Sequence, residues 1–158
     1  MCEDILMGVP QAIVAGIGIA TYKQQGAIGK YNKGVNDRNA LIKEQEAAQI
    51  DKQKEFDIAQ FDKSFVKFVG KQDVSLAKSG VDVSSGTAYN IRLANAQEAE
   101  LQKDIINYNA EIGKAQKFEE AAFSRIKGNI AMQTAKLAQL KTVADTGTSL
   151  LRMSGYNV

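Results

Sequence analysis

From residue 87 to 126 the chain repeats at alternating steps of three and four. Ile91, Ala94, Glu98, Leu101, Ile105, Tyr108, Ile112, Ala115, Glu119, Ala122 and Ile126 fall on one row, the spacing of a heptad seam. One extra four-residue step, Ile126 to Ile130, restarts the row through Gln133, Leu137, Leu140, Ala144, Gly147 and Leu151. Such an insertion locally unwinds a supercoil. The pattern predicts a helix over 87–153, roughly 100 Å long if unbroken, with Gly113 and Gly128 as weak points. A first long helix is predicted over 36–78. Its apolar stripe holds Ile58, Phe61, Phe65, Phe68 and Leu76, and the polar run Asp51-Lys52-Gln53-Lys54-Glu55 holds that section weakly.

Between the two patterns lies Ser79-Gly80-Val81-Asp82-Val83-Ser84-Ser85-Gly86. Gly80 is placed to be the residue just past a helix end. Ser84 or Ser85 is placed to cap the next helix, without a capping box. A turn over 79–86, bracketed by Gly80 and Gly86, folds the helices antiparallel. The expected register sets Ile58 against Tyr108, Phe61 against Ile105, Phe65 against Leu101 and Phe68 against Glu98. The seam is then Ile58, Phe61, Phe65 and Phe68 on one side and Leu101, Ile105, Tyr108 and Ile112 on the other. Asn36 meets Ile130, so residues 131–153 overhang and must face the N-terminal segment or another subunit.

Ahead of the hairpin, residues 5–20 are uncharged and, Gln11 apart, apolar or glycine. Pro10 suits the first turn of a helix, where its missing N–H costs nothing. Ala12, Gly16 and Ala20 form a small-xxx-small row that permits close helix approach. Six of the 13 glycines lie in the first 34 residues, and each costs a water-exposed helix about 1 kcal/mol relative to alanine. The head is therefore expected to be helical only where packed or in lipid. Ala12, Val14, Gly16, Ile17, Gly18, Ile19 and Ala20 are its candidate membrane or oligomer contacts. Residues 26–36 read as a hinge or weakened helix. The expected plan is a head and hinge over 1–35, a helix over 36–78, the turn, a helix over 87–153 and a tail over 154–158. The fold class is all-α: an elongated antiparallel helical hairpin with a coiled-coil-like seam and a glycine-rich apolar N-terminal helix.

Composition fits narrow helical stripes better than a globular core. Aromatics are 7% and tryptophan is absent. A two-helix hairpin buries too little to offset chain entropy of ~1–2 kcal/mol per residue, so neighbouring subunits are expected. The net charge of +2 is too small for an electrostatic hold on nucleic acid, and no sequence-specific nucleic-acid binding is expected. Cys2 stands alone and forms no internal disulfide. Histidine is absent, which removes the commonest general base and metal ligand. The acidic Glu3 and Asp4 before the apolar stretch do not suit a secretory signal.

No phosphate-binding loop, dinucleotide fingerprint, metal-ligand spacing or nucleophile–base pair is present. Asp145-Thr146-Gly147-Thr148 matches an aspartic-protease triplet by letters, but it lies in a helical pattern with no second carboxylate motif. Glu119 and Glu120 are neighbours that point apart in a helix. Asn107-Tyr108-Asn109 places an amide on each side of a seam tyrosine, suited to solvent or to polar contacts between subunits. No enzymatic activity, cofactor or metal is expected.

Gly80-Val81-Asp82-Val83-Ser84-Ser85-Gly86-Thr87-Ala88, with Glu98-Ala99-Glu100-Leu101 and Ile105-Ile106-Asn107-Tyr108-Asn109-Ala110-Glu111, resembles the smallest internal virion proteins of short-tailed phages. The apolar head before polar, alanine-rich helices is similar to that family too, and the resemblance covers roughly residues 10–150. It implies a ring-forming protein of the phage internal core, stacked at the portal with two larger ejection proteins. It also implies exit through the tail ahead of the DNA and lodging in the host outer membrane as part of a trans-envelope conduit. The family's lytic activity belongs to a larger partner, so no catalytic residues carry over. Two other readings stand beside it. One is a holin- or toxin-like membrane-permeabilising protein, motivated by residues 5–22. The other is a coiled-coil scaffold without a membrane step, which the seam alone supports.

Overall fold

The computed structural model describes residues 4–82 and 86–155, with the backbone alone over 4–10. Two helices, α1 (Asp4–Lys78) and α2 (Gly86–Met153), form an antiparallel hairpin. Among the described residues there is no strand. Cys2 and the proposed caps Ser84 and Ser85 lie outside the described residues.

Residues 26–36, expected as a hinge, are helix throughout. The glycines there are not exposed liabilities. A Cβ at Gly26 would meet the Gln139 side chain, and one at Gly29 would meet the Ala135 methyl. Packing against α2 overrides weak propensity, as tertiary contact commonly does. Pro10, expected in the first turn, lies beyond it because α1 begins at Asp4, so it removes one intrahelical bond.

The end of α1 follows from Gly80. Its φ of 72° lies in the left-handed region, open to glycine without a Cβ clash. That conformation lets Gly80 N–H donate to Ala77 O (3.1 Å) and Val81 N–H to Leu76 O (3.1 Å), the paired bonds of a Schellman motif. Gly86, at φ 61°, opens α2. Gly155, at φ 89°, follows the end of α2 and donates to Arg152 O at 3.2 Å.

The chain divides into two compact units, Met1–Ile42 with Glu120–Val158, and Lys43–Glu119. In Lys43–Glu119 the buried side chains are Ala47, Ala88, Ala99 and Ala110. In the other unit they are Ala40, Ala121 and Ala135, together with Gly29 and Gly128. Ala88, Ala99, Ala110 and Ala121 are spaced 11 residues apart. Eleven residues fill three turns at about 3.67 per turn, a period that carries a slight right-handed twist. From Ala88 to Ala121 the core-facing row of α2 therefore follows eleven, while Ala121, Gly128 and Ala135 beyond it are seven apart. The row through Leu101, Ile105, Tyr108 and Ile112 does not face α1.

This corrects the expected seam. Leu101 is 53% exposed, Ile105 43%, Tyr108 67%, Ile112 41% and Phe68 53%. Ile58, Phe61 and Phe65 are half-buried, with the Phe61 and Phe65 rings stacked at 6.2 Å between centroids. The most deeply buried positions are small side chains that let the backbones approach closely, while Ile58, Phe61 and Phe65 are only partly covered and Leu101, Tyr108 and Phe68 are exposed.

Candidate interaction surfaces

Within Lys43–Glu119 the seam is flanked by charge. Arg92 donates through Nε to Asp73 Oδ1 at 2.9 Å and also pairs with Asp73 Oδ2 through its terminal nitrogen. Lys103 Nζ lies 3.3 Å from Asp62 Oδ1, and Lys114 Nζ lies 3.0 Å from Asp51 Oδ2. The basic residues step by 11 along α2 while the acids step by 11 back along α1. Lys117 reaches Glu46 at 2.8 Å, and Asn95 donates to Gln72 Oε1 at 2.8 Å. Lys103 and Lys114 are half-buried while their ammonium groups reach the acids, a common arrangement for amphipathic side chains.

These contacts move the ionisation of their partners. The hydrogen bond from Lys117, then that from Lys43, holds Glu46 below its ordinary value. Lys114 does the same for Asp51. Asp73 raises Arg92, and Asp51 raises Lys114. Lys103 is raised first by Glu100 on its own helix and then by Asp62 across the seam.

Opposite this seam, α2 presents Leu101, Ile105, Tyr108 and Ile112 to solvent. The heptad spacing is present in the chain, but it describes the outer face. Sequence reasoning missed Ala88, Ala99 and Ala110 as the core, and missed Asp51, Asp62 and Asp73 with Lys114, Lys103 and Arg92 as its flanking ladder. Their shared spacing of 11 was the signal that could have found them.

In the unit containing the head, α1 faces α2 through glycine. A Cβ at Gly18 would lie 2.5 Å from Thr146 Oγ1, and one at Gly128 would lie 3.2 Å from Asn36 Cβ. Gln139 donates to Tyr22 O at 2.9 Å, and Thr142 Oγ1 lies 2.9 Å from Gln25 Oε1. Residues 131–153 thus meet the N-terminal segment. Their expected seam, including Leu137, Leu140 and Leu151, is exposed, as is Ile130 just before them.

The small row Ala12, Gly16 and Ala20 does not face α2. All three are exposed, and a Cβ at Gly16 would meet nothing within 4 Å. Ile17 and Ile19 are exposed, while Val14 is half-buried beside a shallow groove that also takes in Thr142 and Ser149. Gly18 alone of the proposed glycine contacts abuts α2. Among the described residues no helix is long and apolar enough to cross a membrane.

Among the described residues no group of three His, Cys, Asp or Glu side chains could hold a metal ion. Asp145 is exposed inside α2, and its neighbour Thr146 packs against Gly18. Among the described residues the helices carry exposed apolar rows, and the side chains fully buried between them are alanines. No family model, curated protein or solved structure matches the chain.

Proposed function

We propose that this protein is a structural subunit of a phage virion's internal core, held at the portal with other ejection proteins. On infection it leaves with the genome and contributes to a trans-envelope channel in the host outer membrane. The observation that carries the assembly part is the outward placement of large apolar side chains on a hairpin whose buried side chains, among the described residues, are all alanine. Such a hairpin is stabilised by covering its outer faces, as repeated subunits of a homo-oligomeric ring do. The phage part rests on the resemblance of residues 80–88, 98–101 and 105–111.

A seam of small residues suits delivery through a narrow tail. Separating it breaks few interlocked contacts, because alanine and glycine offer little to interdigitate. The exposed Ile17 and Ile19 of the head are available to lipid or to a neighbouring subunit once the particle delivers them.

Mass spectrometry of purified virions tests the reading. The protein is expected in several copies per particle, and its absence from virions overturns the proposal. Permeabilisation of cells by expression alone, abolished by deleting residues 1–22, would favour the membrane-permeabilising alternative. Full function with Gly16 and Gly18 both replaced by Asp would favour a scaffold without a membrane step.

A further inference from the structure

α2 has its side chains sorted by size in the unusual sense. Ala88, Ala99 and Ala110 are buried against α1, whereas Leu101, Ile105, Tyr108 and Ile112 are exposed. An apolar helical stripe of this kind ordinarily faces a core. We infer that the outer row of α2, formed by Leu101, Ile105, Tyr108 and Ile112, is a contact surface between copies of this chain.

The spacing identifies the shape of the occupant. Steps of four, three and four place these side chains as knobs for the holes of another helix. The area identifies its scale. The chain exposes 11729 Å², against about 7,800 Å² for a compact monomer of its mass. The excess of roughly 4,000 Å² per chain is more than the roughly 800 Å² that each partner gives to a standard interface.

The flanks argue against a lipid surface as the occupant. A helix lying on a membrane carries Lys and Arg beside its apolar stripe. Here the exposed flanks are the amides Gln102 and Asn109 on one side and the acids Asp104 and Glu111 on the other. Amide and acid edges suit the polar rim of a protein contact. Every copy carries the same row, so a symmetric assembly of this chain covers it without a second gene product.

The inference rests on the assembly part of the proposed function and names the face that assembles. Its readout is purified protein, so it fails or stands independently of whether the chain is found in virions. Sedimentation velocity of the full chain over a concentration series should show an oligomer. Leu101→Asp with Ile112→Asp should weaken association at least about tenfold, the scale of a truncated interface anchor. Val66→Asp, at a site on α1 that is also exposed, should sediment as wild type.

Because the double variant could lose its fold, a second measurement keeps the helices intact. A photo-crosslinking benzoylphenylalanine in place of Tyr108 should join two chains, and the same group in place of Val66 should not. A monomeric wild type, undiminished association of the double variant, or crosslinks from position 108 confined to one chain would each overturn the inference. So would vesicle binding, on phosphatidylcholine–phosphatidylglycerol liposomes, that depends on these residues while the chain stays monomeric.

Discussion

Lys114 reaches across the hairpin to Asp51, its Nζ 3.0 Å from Oδ2. The same relation recurs one repeat away in Lys103 with Asp62, and again in Arg92 with Asp73. Both members of each pair stand beside the alanine seam, so the ladder and the core share one period.

Reversing one rung should therefore weaken the hairpin, and reversing both partners should restore it. Asp51→Lys brings a cation against Lys114 and Lys54 and is expected to lower the thermal midpoint. Adding Lys114→Asp should recover much of the loss, since the pair is re-formed with opposite polarity. Circular dichroism melts of the two single variants and the double variant measure this. Additive losses would mean that Asp51 and Lys114 are not coupled.

The charge ladder also fixes a pH profile. Glu46 and Asp51 have folded pKa values below their unfolded ones. Their contribution is fully present above the unfolded values and is lost as pH falls through the folded ones. Lys103, Lys114 and Arg92 are raised, so theirs is present below the unfolded values and lost as pH rises through the folded ones. With no histidine in the chain, the melting temperature should be flat from about pH 5 to 9 and fall below about pH 4 and above about pH 10.5. Melts at constant ionic strength give the profile, and a steep step near pH 6.5 would contradict it.

Glycines of one composition should respond oppositely to the same substitution. Gly29→Ala sets a methyl group onto the Ala135 methyl, where neither backbone yields easily, and is expected to cost about 1–3 kcal/mol as overpacking. Gly16→Ala enters open space on an exposed face and should stabilise by about 1 kcal/mol through helix propensity. Denaturant titrations of both variants make the comparison. Equal effects would remove Gly29 from the interface.

The close approach at Gly128 offers a covalent test of register. Its built Cβ lies 3.2 Å from Asn36 Cβ, just under the ~3.5–4.5 Å span of a disulfide. Asn36→Cys with Gly128→Cys, in a Cys2→Ser background, should oxidise to an intramolecular bond. Non-reducing electrophoresis and peptide mapping report it. Free thiols after oxidation would place α1 and α2 in another register.

The all-α hairpin was legible in the sequence. The chain has one proline, Pro10, and a glycine-bracketed break between two long periodic stretches leaves few other ways to fold. The seam was not legible, because the eye and the hydropathy scale both follow Leu, Ile, Phe and Tyr. Here those residues trace the outer face through Leu101 and Tyr108, while Ala99 and Ala110 trace the contact. Alanine is a good helix former anywhere, so a buried alanine resembles an exposed one in composition and declares itself only through spacing. The hinge at 26–36 was misread for a related reason. Gly26 and Gly29 look like weakness in isolation and are close contacts once α2 lies beside them. The exposed position of Gly16 and the contact position of Gly18 differ only by which side of the helix meets Thr146.

A ladder with identical rungs carries a translational ambiguity. Sliding α2 by one repeat would bring Lys114 to Asp62 and Lys103 to Asp73, with Ala99 taking the place of Ala88, and only the Arg92 rung would lose its acid. The seam alone does little to tell these alignments apart. The turn does, because a slipped alignment needs a different length of chain between the arms. Gly80 ends α1 with bonds that close only when its φ is positive, and Gly86 begins α2 in the same left-handed region. Those two glycines act as the origin from which every rung is counted, and eleven residues removed from each arm would shorten the hairpin without changing which charges meet.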